Sequence, residues 1–236
     1  QRIPLVIRML VGKGGGQGPQ HSQSMHALFA HIPGLKVVAP SSPRDVKGLL
    51  ISAIEDDDPV IFIEHRRIYD EEGDVPEGLY RIPLGEANIV YEGKDVTIVA
   101  TSQMVSEAKK AREILAKSGV SVEIVDLRTL RPLDTKTVIN SVRKTGRLVV
   151  VDGDWKPCGV AGEIVSVVAE NCLKELKSPP RRITWPDMPA PTSVAIESQF
   201  YPKVEDICSV VYQCLDRPVE MLQMESAQPE SFIGPF

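Results

Sequence analysis

Val96-Thr97-Ile98-Val99-Ala100 and Val122-Glu123-Ile124-Val125 are two short apolar runs. Between them Val105, Ala108, Ala111, Ile114 and Leu115 recur at helical spacing over residues 104–117, up to Gly119. A β-branched run, an amphipathic helix stopped by glycine and a second β-branched run make a strand–helix–strand unit. The alternation continues toward the C-terminus. Asp134, just after Pro132, caps a helix predicted to reach Arg143. Leu148–Val151 reads as a strand, residues 162–176 as a strongly apolar helix, Ile183–Trp185 as a short strand and Val204–Leu215 as the last helix. Gly85–Tyr91 reads as a strand leading into this unit. Strands that are apolar throughout and alternate with helices imply a parallel sheet covered on both faces, an α/β fold.

The N-terminal part repeats the pattern less fully. A strand is predicted at about residues 4–8. Gly12-Lys13-Gly14-Gly15-Gly16-Gln17-Gly18-Pro19 follows, and five glycines in seven residues make a loop. Ser22–His31 reads as a short helix closed by Pro33-Gly34, and Leu35–Ala39 as a strand. Ser42-Pro43-Arg44-Asp45 places a cap, a proline at the first helical position and an acid at the third. Val46, Leu49, Leu50, Ala53 and Ile54 then form one apolar face. Val60–Ile63 is a buried strand, and the charged stretch 65–80, with Gly73, Pro76 and Gly78, is a linker or long surface loop. Two three-layer α/β/α units result, over residues 1–80 and 81–218, with an extended tail over 219–236. Only three strands are legible in the first unit, and such a sheet leaves an edge exposed. The expectation is that its beginning is cut away, or that another chain completes it.

Composition narrows the function classes. The chain has 236 residues and a mass of 25.9 kDa, is 42% hydrophobic and 25% charged, and carries a net charge of −5 with a pI near 5.5. These values exclude a disordered chain. The 27 basic residues form no cluster, which argues against nucleic-acid binding, and no apolar run approaches the ~18–20 residues of a membrane span. Cys158, Cys172, Cys208 and Cys214 show no CxxC spacing and read as reduced thiols in a cytoplasm-like compartment.

Several stretches could carry chemistry. The glycine loop is neither a Walker A sequence nor GxGxxG, but it lets backbone approach a ligand closely. His21 follows it at the mouth of a helix, where it either serves an oxyanion or a proton transfer, or caps and packs the helix. His21, His26 and His31 recur every five residues and cannot share a helix face, which argues against a zinc triad and makes His26 and His31 surface or packing residues. Glu55-Asp56-Asp57-Asp58 closes a helix where the dipole disfavours anions. Either a cation relieves it, or it is an ordinary solvated acidic turn. Asp152-Gly153-Asp154-Trp155 ends a strand, where α/β sheets bind ligands, although a structural role is favoured. Arg128-Thr129-Leu130-Arg131-Pro132 suggests interface salt bridges.

Taken in series, Pro4-Leu5-Val6-Ile7-Arg8, Gly14-Gly15-Gly16-Gln17-Gly18-Pro19-Gln20-His21-Ser22-Gln23-Ser24 and His31-Ile32-Pro33-Gly34-Leu35-Lys36-Val37-Val38-Ala39-Pro40 resemble the beta subunits of 2-oxo acid dehydrogenase decarboxylases. This is the pyruvate, branched-chain 2-oxo acid and acetoin dehydrogenase group of the transketolase superfamily. Asp45–Leu50, Ser52-Ala53-Ile54, Asp58-Pro59-Val60, Asp126–Asp134 and Gly234-Pro235-Phe236 continue the resemblance over nearly the whole chain. It implies a thiamine pyrimidine-binding domain, here its C-terminal half, followed by a transketolase C-terminal domain. It also implies an α2β2 heterotetramer with thiamine diphosphate at the alpha/beta interface, the alpha subunit holding the diphosphate and its magnesium. The implied reaction is oxidative decarboxylation of a 2-oxo acid with reductive acylation of a lipoyl group on an acyltransferase core. The implied compartment is the cytoplasm, or the mitochondrial matrix in a eukaryote. His21 matches the family's active-site histidine. Leu5, Ala53, Ile54, Asp56 and Asp58 match a potassium site built largely from backbone carbonyls, and with the resemblance the cation becomes the preferred reading of the acidic turn. The glutamate that activates the cofactor's pyrimidine, and most beta-side cofactor contacts, fall before Gln1, so the chain by itself is expected to be inactive. His26 stands where many members carry an acid. The alternatives are another transketolase-type thiamine enzyme, or a non-catalytic assembly subunit.

Overall fold

Period-two alternation in three central strands decides how the layers stack. The computed structural model describes residues 2–12 and 15–219. In β5 (Val96–Ala100), β6 (Val122–Asp126) and β8 (Leu148–Trp155), successive side chains leave opposite faces of the sheet. Ile98, Ile124 and Val149 pack with α4 (Gln103–Lys117) and α8 (Val204–Cys214). Val99, Val125 and Val150 pack on the other side with α5 (Thr135–Thr145) and α6 (Val160–Cys172). Both faces are therefore covered, which is why these strands are apolar at most positions. The sheet runs β4-β6-β5-β8-β9, with β4 at Asn88–Tyr91 and β9 at Arg181–Trp185. Pairing is parallel except for β4, which joins β6 antiparallel with a register shift.

The first sheet has the order β1-β3-β2-β7, from β1 (Val6–Val11), β3 (Val60–His65), β2 (Lys36–Val38) and β7 (Thr129–Arg131). The fourth strand comes from the second unit. It pairs antiparallel with β2, Val37 facing Arg131 and Val38 facing Thr129. α3 (Pro43–Ile54) covers one face through Leu49 and Ala53, packed with Val38, Val60, Phe62 and Ile82. As the sequence predicts, Ser42 caps this helix, its Oγ accepting from Asp45 N at 3.2 Å. On the other face Val11, Val37, Ala39, Ile61 and Ile63 share one core with α5 and α6. Those two helices lie between the sheets, so the two three-layer units have a layer in common.

Elsewhere the structure departs from the sequence reading. The helix expected over Ser22–His31 is two short helices, α1 (Gly18–His21) and α2 (His26–Ala30), separated by an irregular turn. The charged stretch after β3 opens with a single 3-10 turn over Arg66–Ile68 and holds no further regular structure before β4. Beyond it, Ile82 folds back into the α3 core. Between β9 and α8 lies the short helix α7 (Val194–Glu197). The tail expected over 219–236 falls, from residue 220 on, outside the described residues, as do Lys13 and Gly14.

Candidate functional site

His21 ends α1 and is exposed. Four residues of helix cannot hold themselves in water, and here contacts from distant segments do it. Arg66 donates through Nη1 to Gln17 Oε1 at 2.8 Å and through Nη2 to the His21 carbonyl. Tyr201 Oη donates to the Ser22 carbonyl at 2.9 Å, and Ala190 N to Gln23 Oε1 at 3.0 Å. Gly16 N donates to Glu197 Oε2 at 2.9 Å. Gly16 and Gly18 are required by this packing. Both have positive φ, and a Cβ would meet Thr192 O at 2.8 Å from Gly16 and collide with Thr192 Cγ2 from Gly18. The loop thus lies directly on the backbone of residues 190–201. Behind that segment Trp185 stacks edge-on against Trp155 and Tyr201, with centroids at 5.5 and 5.6 Å, and Phe200 meets Tyr201 at 4.9 Å.

His26 is neither a surface residue nor a simple packing residue. It is buried, 4% exposed, and its Nε2 lies 2.9 Å from Asp152 Oδ1 and 3.5 Å from Asp154 Oδ2. Nδ1 lies 2.7 Å from Ser24 Oγ. Burial by itself pushes the imidazole pKa down, but the charge and hydrogen bond of Asp152 and the charge of Asp154 outweigh it, and the net shift is upward. Asp154 is raised, chiefly by burial. Asp152 also has the structural role read from the sequence. Its Oδ2 accepts from Ala161 N at 3.2 Å in the first turn of α6. A cavity of about 20 Å³, room for one water, adjoins this group between the carboxyl ends of the two sheets, lined by Ser24, His26, His65, Ser102 and Gln103. A larger surface groove, about 960 Å³, runs past His31, Arg131, Cys158, Glu163 and Arg182, and none of residues 15–24 lines it.

The acidic turn after α3 is neutralised from within the chain. Lys36 Nζ reaches Asp56 at 2.6 Å and Asp58 at 3.2 Å, Arg81 pairs with Glu55 at 2.5 Å and Arg2 with Asp57 at 3.3 Å. Partial burial opposes ionisation of Asp56, but its hydrogen bonds to Lys36 prevail and its pKa is lowered. The repulsion anticipated at this helix end is therefore already offset. The carbonyl oxygen of Leu5 accepts from Val60 N at 2.8 Å, and that of Ala53 accepts from the backbone N–H groups of Glu55 and, at 3.4 Å, Asp56. A cation at this turn would have to be held on carbonyl oxygens, since the carboxylates are already engaged. Among the described residues no group of three or more His, Cys, Asp or Glu side chains could hold a metal ion.

Arg128 makes the salt bridge expected of its stretch, and makes it within the chain. Its Nη2 lies 2.6 Å from Asp45 Oδ1, joining the second unit to α3. Beside it the buried Asp126 accepts from Ser41 Oγ and, at 3.0 Å, from Arg128 N.

Residues 85–207 match the C-terminal domain of transketolase and residues 1–71 its pyrimidine-binding domain. The chain belongs to the transketolase family. It is 52% identical over 206 residues to the beta subunit of acetoin:2,6-dichlorophenolindophenol oxidoreductase from Cupriavidus necator, covering 87% of this chain and 61% of that protein. It is 43% identical over 223 residues to the mitochondrial pyruvate dehydrogenase E1 component subunit beta-1 of Oryza sativa, covering 93% of this chain and 60% of that one. The chain thus spans about three fifths of the length of these curated relatives. Among solved structures, a split-gene transketolase described as an inactive beta4 tetramer superposes with a TM-score of 0.71 at 23% identity, over 91% of this chain and 67% of that one, a likeness of fold. No helix among the described residues is long and apolar enough to cross a membrane.

In transketolase-family terms, the glycine loop and His21 lie on the pyrimidine-binding side, and the side chains that fix them include several from the C-terminal domain. Sequence reasoning missed Arg66, Thr192, Glu197 and Tyr201 because each acts across a long separation. One signal was available: residues 185–202 combine four prolines with Trp185, Phe200 and Tyr201, the composition of a loop with its own packed side chains.

Proposed function

We propose that the chain forms the beta-side part of a thiamine diphosphate-dependent dehydrogenase acting on a 2-oxo acid of the pyruvate type or on acetoin. Residues 1–80 would be the pyrimidine-binding part, 81–218 the transketolase C-terminal domain and 219–236 a tail. The observation that carries this reading is the exposed imidazole of His21, on a short helix end pinned by both units in a family that includes the beta subunits of pyruvate dehydrogenase and acetoin oxidoreductase. Thiamine diphosphate, when bound, supplies the carbon nucleophile and the electron sink for cleavage of the carbon–carbon bond next to the substrate carbonyl, with loss of CO2 where the substrate is a 2-oxo acid. This chain's contribution is the imidazole, which holds or delivers a proton through a ring nitrogen, or donates to a developing oxyanion, near the lipoyl acceptor. Pinning the His21 backbone fixes where that ring nitrogen can reach. The diphosphate and its magnesium are assigned to an alpha subunit, in an α2β2 assembly that docks on a lipoyl-bearing acyltransferase core. Potassium is assigned to the carbonyl-rich turn of Leu5, Ala53, Ile54, Asp56 and Asp58. The compartment is the cytoplasm, or the mitochondrial matrix in a eukaryotic source.

The test is His21→Ala in the full-length subunit co-produced with its alpha partner. Lipoyl acylation should fall by about 10²-fold or more, while the melting temperature stays within about a degree. Unchanged turnover removes His21 from the site. Binding of the alpha partner without any thiamine-dependent turnover of a 2-oxo acid or of acetoin by the parent protein replaces this reading with an assembly role.

A further inference from the structure

The buried group His26, Asp152 and Asp154 has no part in the chemistry above, yet it sits five residues from His21. We infer that His26 is a positioning residue: held by Asp152 and Asp154 across the boundary between the two units, it fixes the turn over residues 22–25 and, through it, the helix end that carries His21. This inference rests on the functional reading of His21.

Three observations support it. The turn has no regular structure, and the helices on either side have four and five residues, so tertiary ties must set its path. The ties on the His21 side are Arg66, Tyr201 and Ala190. On the far side the turn ends at His26, whose two ring nitrogens reach Ser24 within the turn and Asp152 on β8. Side-chain exposures of 5%, 3% and 4% for His26, Asp152 and Asp154 put this link in the interior, where a charge-assisted hydrogen bond is both strong and geometrically demanding. Asp154 Oδ2 lies 3.5 Å from the same ring nitrogen, so an attractive field from a second carboxylate also acts on the ring. As an imidazolium, His26 donates from both nitrogens, to Ser24 and to Asp152. As a neutral ring it must reverse one of these bonds. The groups facing it are Asp152 and Asp154 from β8, Ser24 from its own turn, and His65 from the end of β3 across the small cavity. The tie is complete below the ordinary imidazole pKa and weakens as pH rises through the raised one.

The experiment uses the full-length subunit assembled with its alpha partner, as wild type, His26→Ala, His26→Gln and Asp154→Asn. Amide hydrogen exchange is read over residues 20–25, and the His21 ring resonances are followed in histidine-labelled protein across pH. His26→Ala should speed exchange by about tenfold or more and shift the His21 resonances. His26→Gln, which can still donate to Asp152, should restore much of both. In Asp154→Asn, which folds with one carboxylate fewer, the pH at which exchange rises should drop by about one unit. In the activity assay kcat should fall while KM changes less than about twofold. Exchange and His21 resonances that match wild type in all three variants overturn the inference. Neither of those two readouts needs turnover, so an inactive parent protein would count against the proposed function and leave this inference to be decided by them.

Discussion

Asp126 gives the junction between the two units a measurable pH signature. Its carboxyl is fully buried, and its pKa is raised from 3.8 to about 6. Burial is the main cause, the hydrogen bond from Ser41 opposes it, and the nearby Asp45 charge adds to it. The folded state therefore binds this proton more tightly than the unfolded chain does. That contribution to stability is complete below about pH 4 and is lost as pH rises through about 6. A shift of about two units is worth about 3 kcal/mol in all, of which roughly half, about 1–2 kcal/mol, falls between pH 5 and pH 7.5. Asp126→Asn removes the titration and keeps the volume. It loses part of the bonding to Ser41 Oγ and Arg128 N, a cost of about 1 kcal/mol that does not vary with pH. Urea unfolding of the full-length subunit, wild type against Asp126→Asn, should therefore show a stability difference that shifts by about 1–2 kcal/mol in favour of the variant from pH 5 to pH 7.5. Taking the difference cancels carboxylates such as Asp56, whose lowered pKa acts in the opposite sense. A difference that is flat over this range, or that slopes the other way, refutes the assignment of a buried, proton-hungry carboxyl to the junction.

Three further expectations follow from single contacts. Gly18→Ala places a methyl against Thr192 at φ +62° and should cost about 1–2 kcal/mol, read as a lower urea midpoint and faster amide exchange in the glycine loop. Asp134 caps α5 through Thr137 N at 3.0 Å and also accepts from Ala87 N at 3.0 Å. Partial burial opposes its ionisation, but these bonds and that from the Thr137 hydroxyl win and lower its pKa. Asp134→Ala should cost about 1–2 kcal/mol near neutral pH and progressively less as pH falls through the lowered pKa, measured by chemical unfolding. If potassium occupies the carbonyl-rich turn, the melting temperature of the full-length subunit should rise with potassium and not with tetramethylammonium at equal ionic strength. An equal response to both salts removes the ion.

What the sequence disclosed and what it withheld divide by range of interaction. The strands Val96–Ala100 and Val122–Asp126 and the helix over 103–117 are set by local patterning, because both faces of the sheet are buried and most positions report it. Ser42 and Asp134 act as caps because capping is decided within four residues. The strand Thr129–Arg131 was hidden, since its partner, Val37–Val38, lies some ninety residues earlier. The break between α1 and α2 was hidden for the same reason: residues 22–30 have helical composition, and Tyr201, Ala190 and Asp152 decide otherwise. For His26 the five-residue spacing correctly argued against a shared helix face with His21 and His31, but it said nothing about carboxylates 126 and 128 positions away. At the acidic turn the sequence displayed four acids in a row. It did not display Lys36, Arg81 and Arg2, which balance them from other segments.

The shared layer has a consequence for how the site can fail. α5 and α6 contribute Val138, Val142, Ile164 and Val168 to one core that also includes Ile61 and Ile63 of the first sheet and Val99 and Val150 of the second. Close-packed interiors of this kind transmit displacement rather than absorb it, so the two sheets cannot shift relative to one another without repacking both helices. The loop bearing His21 is tied to the second unit at Glu197, Ala190, Tyr201 and Asp152, and to the first through Arg66. The imidazole's position is therefore set by the same packing that sets the angle between the sheets. A cavity cut into α5 or α6, far from His21 and in contact with none of its neighbours, should act on both units at once, and the effects of two such cavities should couple rather than add.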